Sequence, residues 1–340
     1  MLKISKNKKI FAAMVALVVL SAVLVVYFVF IQNDKWILRT ERIVQAAAVQ
    51  GEHIYFMHVG HPFLHDDSRR YRQIEVKRTT FDGETSSVFS FQFEVGRGEI
   101  EIPGFFVTDD GYFRFLFLET DGHWRTPYYR IHYVTYDAAG QLVFQHELTD
   151  FMMMDLLNSH NSIRRGVFTP EGDVVFIAFS DGGVSVSIVN QAGEIRSEWA
   201  GGGQLVQLRD GRIALASGST LYEIDVAAGE LSETIVHFDE SVLPQFNRFG
   251  IVPPWAQFDL YMSDIFTNHI YGYDLATETL TPLIDLTWME EEFGSLHINV
   301  WNSSHQLGGI FCILPDGRIA LFFRSHGYTN LIILTPDLSD

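Results

Sequence analysis

The sequence has 340 residues, 47% hydrophobic and 14% aromatic, with one cysteine and a formal charge of −18. A chain this apolar buries enough surface to fold, which excludes disorder, and its length suits one large domain or two average ones. The 42 Asp+Glu against 24 Lys+Arg repel phosphates and exclude a nucleic-acid partner, while a lone Cys312 excludes an intrachain disulfide and any CxxC zinc or redox site.

Residues 1–9 form a basic tail with Lys3, Lys6, Lys8 and Lys9 and no acid. Residues 10–31 (IFAAMVALVVLSAVLVVYFVFI) carry no charge over 22 positions, enough for a helix to cross a hydrocarbon core of about 30 Å. The lysines ahead of it keep the N-terminus cytoplasmic. The expectation is one transmembrane signal anchor in the cell membrane, with everything after it extracytoplasmic. The part beyond the lysines holds 20 basic and 42 acidic residues, a charge of −22. A cleaved signal peptide is the alternative. It would have a shorter apolar region and a small-x-small site close behind, and Ala46-Ala47-Ala48 comes too late for that. No Cys follows the apolar run, so a lipid anchor is excluded.

Residues 32–42 read as a tether, and 43–340 as an all-β domain of short apolar runs separated by Gly, Asp and Asn turns. Two turn signatures alternate. One sets an acid or Pro before Gly and an apolar strand, as in Asp110-Gly111, Pro170-Glu171-Gly172, Asp210-Gly211 and Pro315-Asp316-Gly317. The other closes hairpins, as in Asp137 to Gly140, Asn190 to Gly193, Asp225 to Gly229 and Asp274 to Thr277. A unit holding both has four strands, and a recurrence near 40–55 residues is the period of propeller blades. Six units fit, at 43–93, 100–148, 163–199, 203–236, 247–284 and 307–338; the fifth has Pro253-Pro254-Trp255 where a Gly turn is expected.

With PDGR-type turns and the hairpins YEIDVAAGEL and YDLATETL, everything after residue 40 resembles β-propeller repeats of the surface and quinoprotein-like kind. It is also similar to propeller modules that precede extracellular solute-binding domains in transport lipoproteins. The resemblance implies a fold; function is argued from the site.

The last unit has three strands before the chain ends, so residues around Trp36 to Arg42 are expected to supply the fourth and close the ring. Entering through a fourth strand puts the tether on the face of the tight turns and points the longer connections outward. Those connections carry most of the candidate binding residues, since loops on a rigid scaffold are where such residues concentrate. Trp124, Trp288 and Trp301 are candidate ligand anchors, with His123, Arg125 and His305 beside them. In HIYFMHVGHPFLHDD, His61, His65 and Asp66 have side chains suited to zinc or a similar ion, though the spacing matches no defined motif; solvated loop histidines are the plainer reading. His53 and His58, five apart, are expected on opposite faces of a strand. Thr287 to Glu290 has capping-box spacing, so a short helix is expected before the sixth unit, and another over Phe151 to Leu157. Cys312 in GIFCIL reads as a buried small hydrophobe. The chain lacks GxSxG, a phosphate loop, HExxH and an EF-hand loop.

The reading is a six-bladed, four-stranded β-propeller behind one N-terminal transmembrane helix, acting as a binding or scaffolding module for a surface ligand or protein. No cofactor is firmly implied. The alternatives are a propeller enzyme, a metal-assisted hydrolase or lyase with His61, His65, Asp66 and His305 at the channel mouth, and an accessory subunit of an envelope or transport complex.

Overall fold

A computed structural model describes residues 36–40, 44–64, 70–95, 100–120, 129–148, 166–180, 183–200, 203–238, 246–250, 252–264, 269–289, 310–325 and 328–336. Strand β1 (Trp36–Thr40) comes first. Blade 1 holds β2 (Val44–Gln50), β3 (His53–Leu64), β4 (Arg70–Thr80) and β5 (Thr85–Val95), and blade 2 holds β6 (Ile100–Val107), β7 (Phe113–Thr120), β8 (Tyr129–Tyr136) and β9 (Leu142–Leu148). Blade 3 is β10 (Gly166–Phe168), β11 (Val174–Ser180), β12 (Gly183–Val189) and β13 (Ile195–Ala200). Blade 4 is β14 (Gln204–Gln207), β15 (Ile213–Ser217), β16 (Thr220–Asp225) and β17 (Glu230–His237). Blade 5 is β18 (Phe246–Phe249), β19 (Leu260–Asp264), β20 (His269–Asp274) and β21 (Thr279–Asp285). The last sheet has the order β1-β24-β23-β22, with β22 (Ile310–Ile313), β23 (Ile319–Ser325) and β24 (Tyr328–Leu334).

Every sheet is an antiparallel meander, and the blade limits follow the turn signatures to within a few residues. The same five-residue turn recurs. Thr108 N–H donates to the Tyr112 carbonyl and Gly111 N–H to the Thr108 carbonyl, and the pattern repeats at Thr169, Leu208 and Leu314 and, in outer hairpins, at Thr80, Asp137 and Asn190. A type I turn followed by a left-handed residue gives this geometry, which is why glycine holds the fourth position. The two DGR turns match further: Arg212 and Arg318 each pair with the preceding Asp at 2.6 Å.

Neighbouring blades pack face to face, so a middle strand buries both of its faces. In β7, Phe113, Phe115 and Phe117 enter the cluster shared with blade 1, while Leu116 and Leu118 enter the one shared with blade 3. That explains the continuous apolar runs, which lack simple alternation. There are six such inter-blade clusters, one per interface, and they complete the circle: the last joins Cys312, Leu314, Phe322 and Leu331 of blade 6 to Val44, Ala47, Ile54 and Phe56 of blade 1. Cys312 is buried there, as its apolar setting predicted.

The ring closes as the sequence led us to expect. Strand β1 pairs with β24 through Leu38 opposite Leu331, Arg39 opposite Asn330 and Thr40 opposite Thr329. The chain's first and last described strands thus share one blade. The register sets Trp36 opposite Ile332, toward the end of β24 that leaves on the tight-turn face.

Outer strands are tied by close approach of hairpin glycines. Gly140, at φ 76, lies where an added Cβ would meet Phe89 Cβ and Cγ at 2.6 Å, and Gly193 stands in the same relation to His146. Both turns rest on the outer strand of the preceding blade. Gly140→Ala combines a left-handed alanine with a clash against a ring root that has no room to swing. We expect a loss of roughly 2–4 kcal/mol, read as a lower urea midpoint, whereas Gly111→Ala, with only Ala138 near at 3.4 Å, retains the backbone cost alone.

The fifth blade departs from the pattern in its first connection, which runs from Gly250 to Asp259 and contains the Pro253-Pro254-Trp255 segment. A helical turn is present at 287–289, its N-terminus capped by Asp285, whose carboxylate accepts from the Thr287 amide at 2.8 Å and hydroxyl at 2.6 Å. These bonds, led by the hydroxyl, hold the Asp285 carboxyl below its ordinary pKa. The cap is therefore Asp285, with Thr287 as its donor. The expected helix over Phe151 to Leu157 lies outside the described residues.

Candidate functional site

The first-to-second and third-to-fourth turns of each blade emerge on one face; the second-to-third connections and blade links emerge on the other. Among the described residues, three histidines near the strand ends of that second face are each held by a neighbour. His132 on β8 bonds Glu119 of β7 at 3.1 Å, His237 bonds the Thr220 hydroxyl at 2.9 Å, and His269 lies 3.8 Å from Asp285.

The blade 2 pair is the buried one. Glu119 and His132 are 5% and 4% exposed, with Arg130 reaching Glu119 at 4.0 Å and Glu147 at 3.8 Å. Strand alternation sends Phe113, Phe115, Phe117 and Glu119 to the face turned toward blade 1, and His132, Val134 and Tyr136 lie on that same face of β8. The aromatic column between blades 1 and 2 therefore ends in an ionisable pair, and Phe93 of blade 1 covers the imidazole edge-on at 5.2 Å. With Glu119 ionised, Nε2 carries the proton it donates, and Nδ1 is left buried without a hydrogen-bond partner among the described residues. A carboxylate that fixes a tautomer is an orienting device. It sits at the root of the connection 121–128, and Thr120 and Tyr129, which flank that connection, are ladder partners.

Removing the carboxylate leaves an imidazole N–H buried and unpaired. Glu119→Ala is expected to cost about 1–3 kcal/mol in urea unfolding, and adding His132→Phe, which replaces the ring with an apolar one against Phe93, to recover most of it. Equal losses in the single and double variants would deny the pair this role.

The sequence-derived candidates divide. Trp288 is described: it lies in the helical turn and packs against the cluster between blades 5 and 6. His61 falls within β3. His65, Asp66, His123, Trp124, Arg125, Trp301 and His305 lie outside the described residues. His53 and His58 do point to opposite faces of β3, His53 toward Tyr55 and His58, buried, against Phe56. Among the described residues no three ligand-type side chains gather as a metal site, and no helix is long and apolar enough to cross a membrane; residues 10–31 are not among them. Sequence reasoning passed over His132. The available signal was a histidine between Ile131 and Tyr133 inside the strand-like run YRIHYVTY.

Buried tyrosines fasten the blades beneath this face. The Tyr133 hydroxyl donates to the Gly172 carbonyl at 2.8 Å, tying blade 2 to blade 3, and burial raises its pKa so that it stays a neutral donor. Burial likewise raises Tyr136 and Tyr261.

Six radial meanders, closed by pairing the chain's two ends, define a β-propeller. No protein-family model matches the sequence, and comparison with curated proteins finds no match. Among solved structures, the chain is similar to a glucose dehydrogenase at 11% identity, with 89% of this chain and 99% of that one covered and a TM-score of 0.50. The β-propeller domain of the Trilobed protease from Pyrococcus furiosus aligns at 12% identity over 88% of this chain and 82% of that one, TM-score 0.48. A luciferin-regenerating enzyme aligns at 10% over 89% and 94%, TM-score 0.47. At such identities the likeness is one of fold.

Proposed function

We propose that the protein is a cell-surface binding module, a propeller held outside the membrane by residues 10–31 and presenting its long-connection face to a protein or glycan ligand. The observation that supports this most is the start of β1 at the tight-turn face, opposite the end of β24. A chain arriving from the membrane five residues after Ile31 meets the propeller on that side, so the other face is free to engage a partner. In sequence, His123, Trp124 and Arg125 belong to the connection rooted on Glu119 and His132, and Trp301 and His305 to the link ahead of blade 6. An indole joins a large contact area to one donor, which suits both sugar rings and protein hot spots.

The test is a glycan and peptide binding screen on the full chain in detergent, repeated with Trp124→Ala and Trp301→Ala. The expected result is a ligand whose affinity falls at least tenfold in one of these variants with the melting temperature unchanged. A ligand that binds both variants as tightly as the parent sinks this assignment of the face. Metal analysis of the same preparation addresses His61, His65 and Asp66: a stoichiometric ion lost on substituting them would turn the reading toward metal-assisted catalysis.

A further inference from the structure

The first connection of blade 5 carries a large apolar side chain that is left partly in solvent. It is well anchored: Val252, Ala256 and Phe258 are buried in the cluster between blades 5 and 6, and the Ala256 amide donates to the Pro253 carbonyl at 3.0 Å. Arg209 of blade 4 holds its base, donating to the Gln257 carbonyl at 2.8 Å and pairing with Asp259 at 2.9 Å. Asp259 in turn accepts from the Leu275 amide at 2.9 Å. From this fixed loop Trp255 projects 41% exposed, on the tight-turn face.

We infer that Trp255 inserts into the headgroup layer of the membrane that anchors the chain; the inference rests on the reading of residues 10–31 as a span. The five peptide units from Ile31 to Trp36 reach at most about 18 Å, and crossing the headgroups uses roughly 5–8 Å of that. The rim of blade 6 at β1 is thereby held close above the bilayer, and its neighbours, blades 5 and 1, come next nearest. Blade 1 offers the exposed Gly51-Glu52 turn on this face, whereas blade 5 offers an indole, with the partly exposed Arg209 guanidinium of blade 4 at the base of its loop. Indoles settle at the membrane interface, and arginine stems reach along it to anionic groups. Across the ring, blade 3 shows the exposed acid Glu171 at the equivalent turn, on the blade that the tether would hold farthest from the bilayer.

The experiment uses the full chain in phosphatidylcholine vesicles with a polarity-sensitive fluorophore on Trp255→Cys or, as a control, on Glu171→Cys; the native thiol, Cys312, is buried. The account expects the probe at 255 to shift its emission to the blue and to be quenched by brominated lipid, with the probe at 171 doing neither. If the chain withstands an alkaline wash but the 255 probe stays water-like, the inference fails while the anchor stands. If the wash strips the chain from the vesicles, the anchor itself fails. Equal quenching at both positions would mean general adsorption of the face and would also overturn the inference. Trp255→Phe, made in parallel, keeps an aromatic ring at this 41% exposed position and should melt close to the parent.

Discussion

Replacing Leu38 and Arg39 together by proline is expected to open the ring. Consecutive residues of a strand aim their amides to opposite sides, so one of these two points at β24, and two prolines remove it and distort the remainder. Strand β24 would then become an edge, although Thr329, Asn330, Leu331 and Ile332 are buried and Asn330 and Leu331 face the lost strand in register. About four ladder bonds at roughly 1 kcal/mol each put the cost at about 3–5 kcal/mol, a large part of a domain's usual margin. The free edge should also promote association, visible as concentration-dependent light scattering during thermal unfolding. Asn33→Pro, three residues ahead of the strand, serves as the control and should leave the midpoint unchanged. A double-proline variant that unfolds with the parent would show that β1 contributes nothing to closure.

Phe115→Ala is the second large effect. Phe115 is fully buried at the middle of the contact between blades 1 and 2, stacked on Phe105 at 5.2 Å and 9° and on Phe117 at 5.4 Å and 11°. Phe91 and Tyr136 close its edges at 5.9 and 5.8 Å. Five aromatic rings that support one another have little freedom to collapse into the space of a deleted ring. We therefore expect a cost at the upper end of the usual 3–5 kcal/mol for Phe→Ala, measured from urea midpoints with an unchanged slope. Phe115→Leu should recover about half. A loss below about 1 kcal/mol for the alanine would mean the interface relaxes freely, contrary to this packing.

The fold was readable because each blade repeats its punctuation. Gly111, Gly172, Gly211 and Gly317 each mark the left-handed fourth position of a turn whose hydrogen bonds are the same in four blades, so spacing alone recovered the strands between them. The absent fourth strand of the last blade pointed to its replacement, because a propeller edge left open is costly. Blade 5 was harder. Its first connection uses buried Val252, Ala256 and Phe258 in place of a glycine turn, and nothing local in Pro253-Pro254-Trp255 says that its neighbours face inward.

The Glu119 and His132 pair illustrates what a single sequence hides. The two are 13 residues apart, joined by a connection, and become partners only through the β7–β8 register, in which His132 stands opposite Phe117 and Arg130 opposite Glu119. Register is a property of the sheet as a whole. The same holds for Gly140 against Phe89, a contact between hairpins of different blades. Trp288, named as a candidate anchor because indoles are common at hot spots, is partly buried against the core between blades 5 and 6, a packing that its sequence neighbours do not reveal.

The closure of the ring, and with it the orientation proposed for the propeller, rests on five residues. Amide hydrogen exchange of the full chain, resolved at Leu38 to Thr40 and across β23 and β24, tests them most directly. Alternate β1 amides protected to the level of β24, and lost together with it on mild denaturation, are the predicted result. Rapid exchange throughout β1 while β23 and β24 remain protected would contradict the account, because β1 would then not close the ring.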